Sequence, residues 1–446
     1  MHRARTSALL ISPCLSLCLA LAACGPAAAP PGGAYCFTRH VIDGSGAGAD
    51  GVHLADFNGD GFEDVVSGWE ESAELKIYLH PGVAVATGFA PWPALEVAAG
   101  DNIRDIEDAA FADLDGDGQV DAVLSATEGK GGDANRRLRL HRQVGGTWQD
   151  TVLHRDTPTD RFMKVRAAQV DGRNGSDIVA LSRDMLEDPG DPEAISTPGG
   201  VFLYTAPPEA TLGETTAWTR QRLADVHKGK SIELQDFDED GDTDILYAGA
   251  RNIVWLENPL HEGRGADWRS HWIGTASDLA LCDVNGDGVD DIVATESSKA
   301  YPVVARWFAG IDDKKRRHRQ WQFHDIRLAE ELPFGALTPN NYSTKSIACA
   351  DLDGDGQVEI AITTSGSGYG IFVVRPLVDP QIAPDTLWQP EPLTGYQWVM
   401  KYDNILPADI DGDGDTDLVT SEENEGWLLR GAGVLWYENR SCDDAR

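Results

Sequence analysis

An acidic, glycine-rich nonapeptide recurs along this chain at intervals of roughly 47 to 68 residues. That recurrence restricts the fold to a repeat architecture in which each copy marks one structural unit. Six intact copies read D-F-N-G-D-G-F-E-D from Asp56, D-L-D-G-D-G-Q-V-D from Asp113, D-F-D-E-D-G-D-T-D from Asp236, D-V-N-G-D-G-V-D-D from Asp283, D-L-D-G-D-G-Q-V-E from Asp351 and D-I-D-G-D-G-D-T-D from Asp409. A seventh, from Gln169 to Asp177, is degraded: it lacks the first Asp and has Arg173 at position 5.

Each intact copy offers side-chain oxygen at positions 1, 3, 5 and 9, a backbone carbonyl at 7 and Gly at 6 for the sharp turn. A hard cation taking six to eight oxygens needs such a set. The expected donors are Asp56, Asn58, Asp60, Phe62 and Asp64 in the first copy, and Asp113, Asp115, Asp117, Gln119 and Asp121 in the second. They are Asp236, Asp238, Asp240, Asp242 and Asp244, then Asp283, Asn285, Asp287, Val289 and Asp291, in the next two. The last two supply Asp351, Asp353, Asp355, Gln357 and Glu359, and Asp409, Asp411, Asp413, Asp415 and Asp417. No thiolate or imidazole occupies a motif position, which favours Ca²⁺ over zinc or copper and places it ahead of magnesium or manganese. About six structural calcium sites are expected. The degraded copy should bind none, with the Arg173 guanidinium near the ion's place.

An EF-hand opens with the same spacing but needs a bidentate Glu at position 12 and flanking helices. Position 12 here is Ser67, Leu124, Tyr247, Ala294, Ile362 and Thr420. Short β-rich apolar runs follow instead, such as Val65-Val66 and Ile245-Leu246-Tyr247, so these loops join strands.

A second repeat pairs an aromatic residue with an aliphatic one five positions later: Phe37/Ile42, Trp92/Val97, Trp148/Leu153, Trp218/Leu223, Trp268/Ile273, Trp321/Ile326 and Trp388/Leu393. A further strand-like run, such as Ile253-Val254-Trp255-Leu256, lies between loop and pair. Each unit therefore has four strands, with the acidic loop joining the first to the second. The expected fold is all-β, a seven-bladed β-propeller of four-stranded antiparallel blades spanning residues 35–446. The Phe37 pair precedes every loop, and only two strand runs follow Asp409. The N-terminal strand should therefore pair with the last blade and close the ring. A Trp at one phase of each blade reads as packing between blades, and His40, His271 and His324, also at one phase, as repeat structure.

The cysteines bear on closure. Cys36 opens the closing strand and Cys442 follows the strand it should meet, so a Cys36–Cys442 disulfide is expected in an oxidising compartment. Cys282 and Cys349 take positions held elsewhere by Ala55, Ala112, Leu54 or Phe111 and read as small buried thiols rather than a second bridge.

Residues 1–23 have the form of a secretion signal, with His2, Arg3 and Arg5 ahead of an apolar stretch too short to span a bilayer. The run Leu21-Ala22-Ala23-Cys24 resembles the lipobox of bacterial lipoproteins. That resemblance implies acylation at Cys24, and Gly25 after it implies the outer membrane of the cell envelope. Residues 24–34 are Pro/Ala/Gly-rich and read as a tether. The formal charge of −36 argues against nucleic acid as a partner. Much of that charge belongs to the loops.

The D-x-[DN]-G-D-G-x-x-D loops, each with its following aliphatic strand, resemble FG-GAP/VCBS repeats over residues 36–442. This is the seven-bladed propeller family that includes the integrin α N-terminal domain. The resemblance implies calcium loops rigidifying one face and ligands on the opposite face. It conveys no activity, because the fold serves adhesion domains, lectins and a few sugar lyases or dehydratases.

On that opposite face the long connections are Ser182 to Gly200, Glu128 to Arg137 and Arg327 to Ser346. Near the starts of first strands lie Arg104, Arg161, Lys164, Lys230, Lys345 and Lys401, with Trp398 and Tyr402 nearby. They could form a cationic funnel for an acidic sugar or carboxylate; solvated or ion-paired lysines are the alternative. No Gly-x-Ser-x-Gly, His-Glu-x-x-His or phosphate loop occurs. The expectation is a monomeric recognition, adhesion or scaffold module for a glycan or protein, touching the membrane only through its lipid. A carbohydrate lyase or dehydratase using a funnel Lys or His as base stays open beside it.

Overall fold

The computed structural model describes residues 35–88, 90–129, 136–153, 160–186, 195–249, 252–263, 267–295, 303–310, 321–330, 342–423 and 431–440. The signal segment, Cys24, the tether up to residue 34 and Cys442 lie outside the described residues. No helix among the described residues is long and apolar enough to cross a membrane.

The repeat pattern becomes four-stranded antiparallel sheets. One contains Ala49–Ala55, Asp64–Trp69, Glu74–Tyr78 and Ala94–Ala99; the next Ile106–Ala112, Ala122–Thr127, Arg137–Val144 and Thr147–Val152. The third has Arg161–Ala168, Asp177–Arg183, Gly199–Thr205 and Thr219–Val226, and the fourth Gly229–Gln235, Asp244–Gly249, Asn252–Glu257 and Arg269–Gly274. In each, the acidic loop joins the first strand to the second. The second strands, such as Asp64–Trp69 and Asp244–Gly249, are buried throughout, as their continuous apolar runs require of strands covered on both faces.

The remaining repeats depart from the expected seven separate sheets. Twelve strands are hydrogen-bonded into one sheet. It holds the runs Leu279–Cys282 to Phe323–Leu328, Tyr342–Ala350 to Leu387–Pro392, and Tyr396–Ala408 to Gly433–Glu438 with Thr38–Asp43 added. The physical reason is strand length. Glu359–Tyr369 overshoots its repeat, and its far end, Ser365 to Tyr369, pairs with Lys401 to Tyr396. A second link is short and parallel, Arg327–Leu328 against Leu387–Trp388. The N-terminal strand pairs antiparallel with the C-terminal one, Thr38 opposite Glu438 and Val41 opposite Leu435.

Seven apolar clusters hold successive repeats together. Leu124 and Leu140 of the second sheet pack with Phe162, Phe202 and Tyr204 of the third. The last repeat meets the first through Trp436, Val434 and Val419 against Val65, Trp69 and Tyr78. Truncating a fully buried ring such as Phe202 to Ala should cost ~3–5 kcal/mol. First strands also touch in sequence order, and Ala49–Ala55 touches Tyr396–Ala408.

That adjacency overturns one expectation. Cys282 and Cys349 are not separate thiols; they form a disulfide between neighbouring first strands, with Cα atoms 6.3 Å apart across 67 residues of sequence. Cys36 is disulfide-bonded.

Candidate functional site

Each acidic loop folds around its first carboxylate. In the loop at Asp56, Oδ1 accepts hydrogen bonds from the N–H of Gly59 at 2.7 Å and Asp60 at 3.0 Å, and Oδ2 from Gly61 at 2.9 Å. Asp113 does the same with Gly116, Asp117 and Gly118. Positions 4 and 6 have positive φ, for example 77° at Gly116 and 91° at Gly118, and Glu239 takes φ 60° at the one position 4 without glycine. Carboxylate oxygens of Asp113, Asp115 and Asp117, and of Asp236, Asp238 and Asp240, lie within 4.8 Å of one another. Three such groups repel unless a cation sits among them, so these donors fit a hard, oxygen-ligated ion.

Position 9 has an additional task. Asp64 is fully buried; its Oδ2 accepts from Phe57 and Asn58 N–H, and its Oδ1 accepts from His80 N–H at 2.7 Å. Asp244, Asp291 and Asp417 repeat this staple to Asn258, Gly310 and Asn439. The motif also hid one imidazole: His261, from a later turn, brings Nδ1 to 2.6 Å from Asp240 Oδ2.

The degraded loop keeps the backbone and changes the filling. Gln169 Oε1 accepts from Gly172 and Arg173 N–H, as a position-1 carboxylate would. Its Nε2 donates to the carbonyls of Arg173, Asn174 and Gly175 at 2.8, 3.1 and 2.8 Å. The expectation for Arg173 is thus corrected: the side-chain amide fills the loop, and Arg173 is exposed. A planar amide can both donate and accept, whereas the guanidinium only donates.

A cavity of about 610 Å³ is lined by residues from all seven first strands. Four of its charged side chains sit at β-bulges, which leave a residue unpaired and turn it out of the ladder. Pairing skips Glu107 between Ile106 and Asp108, Lys230 between Gly229 and Ser231, Lys345 and Ser346 between Thr344 and Ile347, and Asp403 and Asn404 between Tyr402 and Ile405. In the first sheet the skipped residue is Gly51, at φ 64°. A Cβ there would meet Asp108 Oδ1 at 2.7 Å.

Asp108, fully buried, accepts from Val165 N–H and Arg166 Nη1 at 2.9 Å and lies 3.3 Å from His53 Nε2. Burial opposes its ionisation, but Lys164, Arg166 and His53 hold it well below the usual carboxylate range. Lys345 Nζ sits 2.5 Å from Asp403 Oδ1, and Arg183 bonds Glu128 at 2.9 Å. Glu128 is down at about 2, because the Glu107 hydrogen bond, Arg183 and Arg161 outweigh burial. Asp50 and Asp403 split: burial and the neighbouring carboxylate push Asp50 well up, while Lys345 and the Asp50 hydrogen bond hold Asp403 well down. Burial pushes Glu233 up to about 7 and, with Lys345 and Arg183 nearby, Lys230 down to about 8.

Of the funnel residues expected from sequence, Lys164, Lys230, Lys345 and Lys401 line this cavity. Arg161 bonds Glu128 at its edge. Arg104 does not line it; it reaches Asp101 and the Glu71 carbonyl. Tyr402 is buried against Tyr437, and the side chain of Trp398 lies outside the described residues. The funnel is not simply cationic, since Asp50, Glu107, Glu128, Glu233, Asp278 and Asp403 share its wall. Those acids were missed because they carry no motif; only the packing of neighbouring first strands and their adjoining turns brings them together. Of the long connections, residues 130–135, 187–194 and 331–341 lie outside the described residues. His40, His271 and His324 stack on Trp436, Trp255 and Trp307 at 4.4–4.6 Å, away from the cavity.

Residues 56–124 and 236–294 match the family model described as FG-GAP-like repeat. Cartilage acidic protein 1 of Xenopus tropicalis is 27% identical over 150 residues, which is 31% of this chain and 22% of that protein. The human protein of that name is 27% identical over 149 residues with the same coverage. The match therefore spans about a fifth of these relatives' length. A solved lectin of Agrocybe aegerita, recognising non-reducing terminal N-acetylglucosamine, aligns over 78% of this chain and 80% of its own with TM-score 0.45 and 16% identity. The structure of BBS1N in complex with ARL6DN aligns over 92% of this chain and 98% of its own, with TM-score 0.50 and 11% identity, a likeness of fold alone. The chain carries FG-GAP-like repeats in a β-propeller arrangement of four-stranded antiparallel blades.

Proposed function

We propose that this chain is a calcium-stabilised seven-bladed propeller, held at the bacterial outer membrane by a lipid on Cys24, that recognises a glycan or protein ligand as an adhesion or scaffold module. The seven-bladed count is supported by the sequential contacts of first strands, by the seven inter-repeat clusters and by the pairing of Thr38–Asp43 with Gly433–Glu438. In this reading the twelve-stranded sheet is three blades joined by overlong strands. Calcium is supported by the converging carboxylates of the loops, and its binding free energy becomes folding free energy.

The observation that carries recognition is the cavity, where bulges on separate strands turn charged groups into one concave space. A lyase is the second reading, favoured by Glu233 and Lys230, two cavity groups brought near neutrality by burial. A glycan array probed with the soluble fragment from Ala34 to Arg446 in calcium, with mass spectrometry on each hit, tests both. A bound, unaltered glycan supports recognition, and a sugar altered by elimination supports the lyase. An array without hits, with binding to an envelope protein, would leave the scaffold role and remove the glycan.

A further inference from the structure

We propose that Lys230 forms a carboxylate subsite in the cavity and takes the acid group of a singly charged, polyhydroxylated ligand of the uronic acid class. The inference rests on the cavity being the ligand site.

Among the described residues, the cations lining the cavity are matched by the chain itself, with one exception. Lys164 and Arg166 face Asp108, Arg183 bonds Glu128, Lys345 bonds Asp403 and Lys401 bonds Glu423. Among the described residues Lys230 has no hydrogen bond or ion pair to any of them. Its bulge removes it from the ladder and turns it into the cavity. The acids within electrostatic reach, Asp403 and Glu107, are engaged by Lys345 and Glu128. Lys345 and Arg183 add like charge beside it, which together with burial lowers its proton affinity.

A partly buried ammonium with like charges beside it and no carboxylate paired to it among the described residues is an unfavourable arrangement, and an anion entering the cavity would relieve it. One unmatched cation calls for one negative charge, and the surrounding carboxylates disfavour a doubly charged phosphate. Glu233, Asp278 and Asn404 on the same wall can hydrogen-bond hydroxyl groups, and the volume of about 610 Å³ admits a sugar.

The test is reductive ¹³C-methylation of the calcium-loaded protein, with the Lys230 resonance assigned by its loss in Lys230→Arg. Galacturonate should move that resonance saturably and raise its titration midpoint by about one pH unit, a roughly tenfold gain in proton affinity. Galactose should do neither. Galacturonate leaving the resonance unmoved, or galactose moving it equally, would overturn the subsite. Lys230→Met should melt no lower than the wild type and lose galacturonate binding by calorimetry; undiminished binding would equally overturn it. A glycan bound on the array with no change at Lys230 refutes the subsite and leaves recognition intact. A galacturonate response with a silent array keeps the subsite and rejects the wider glycan reading.

Discussion

Two neighbouring loops share a backbone and differ in what neutralises them. The loop at Gln169 and the loop at Asp113 touch: Ser176 N–H donates to the Asp113 carbonyl at 2.9 Å, and a Cβ on Gly175 would meet Leu114 O at 1.9 Å. Both turn their N–H groups onto the side chain at position 1. The Asp113 loop leaves three carboxylates with oxygens within 4.8 Å of one another, a set that could hold a cation. The Gln169 loop closes the same space with its own amide. On the proposed calcium reading, one geometry is satisfied by an ion from solution in the first loop and by one side chain in the second, and only the first would make stability depend on calcium.

The widest separation between the two loops should come from chelation. With calcium at about 100 times each site's Kd, binding contributes ~2.7 kcal/mol per site, or ~16 kcal/mol over about six sites, so EDTA should lower Tm by roughly 20 °C. Hydrogen exchange should then speed up at 114–119 and stay unchanged at 170–175. An unaltered melt in chelator would remove the calcium reading.

Exchanging the filling is the next test. Gln169→Asp removes three donated hydrogen bonds and turns carbonyls onto a carboxylate, at a cost of ~2–4 kcal/mol with or without calcium. Adding Arg173→Asp should recover stability in calcium only and add one bound ion by calorimetry. If the double variant stays calcium-blind, the amide is not standing where an ion would.

Acid probes the sheet behind the Asp113 loop. Burial, then Arg139, presses His141 down to about 3, and the ring bonds Ser125 Oγ at 2.9 Å. The unfolded ring takes a proton below about 6.5 while the folded one does not, so stability is full above that pH and falls as pH drops toward 3. At pH 5 His141→Gln should be spared about 2 kcal/mol of that loss. Parallel urea titrations of both proteins at pH 7.5 and 5 would reveal it, and identical losses would contradict it.

The smallest effect concerns position 4. Glu239 holds φ 60° where the other loops, Gln169's included, have glycine. Glu239→Gly should stabilise the calcium-loaded protein by about 1 kcal/mol, read as a small rise in Tm; a fall would mean that the side chain's contacts outweigh the strain.

Much of the fold was legible because its signals are local. The D-x-[DN]-G-D-G loops, the aliphatic second strands and the spaced aromatics each arise within about ten residues, and the structure places loop, strand and ring as that spacing implies. The phase of Phe37 against the last loop even indicated the pairing of Thr38–Asp43 with Gly433–Glu438. The cavity was partly legible: a shared phase selected Lys164, Lys230, Lys345 and Lys401, which line it, together with Arg104, which does not, and nothing marked Asp50, Glu107 or Asp403.

By itself, then, the sequence determined the repeat, its strand content and the acidic loops, because turn chemistry and side-chain alternation act between near neighbours. Tertiary structure decided the rest: the Cys282–Cys349 bridge, the fusion of twelve strands into one sheet and the bulge that turns Lys230 into the cavity. Each of these depends on which residues from distant repeats come side by side and on where a strand bulges, and neither is set by composition or spacing within one repeat.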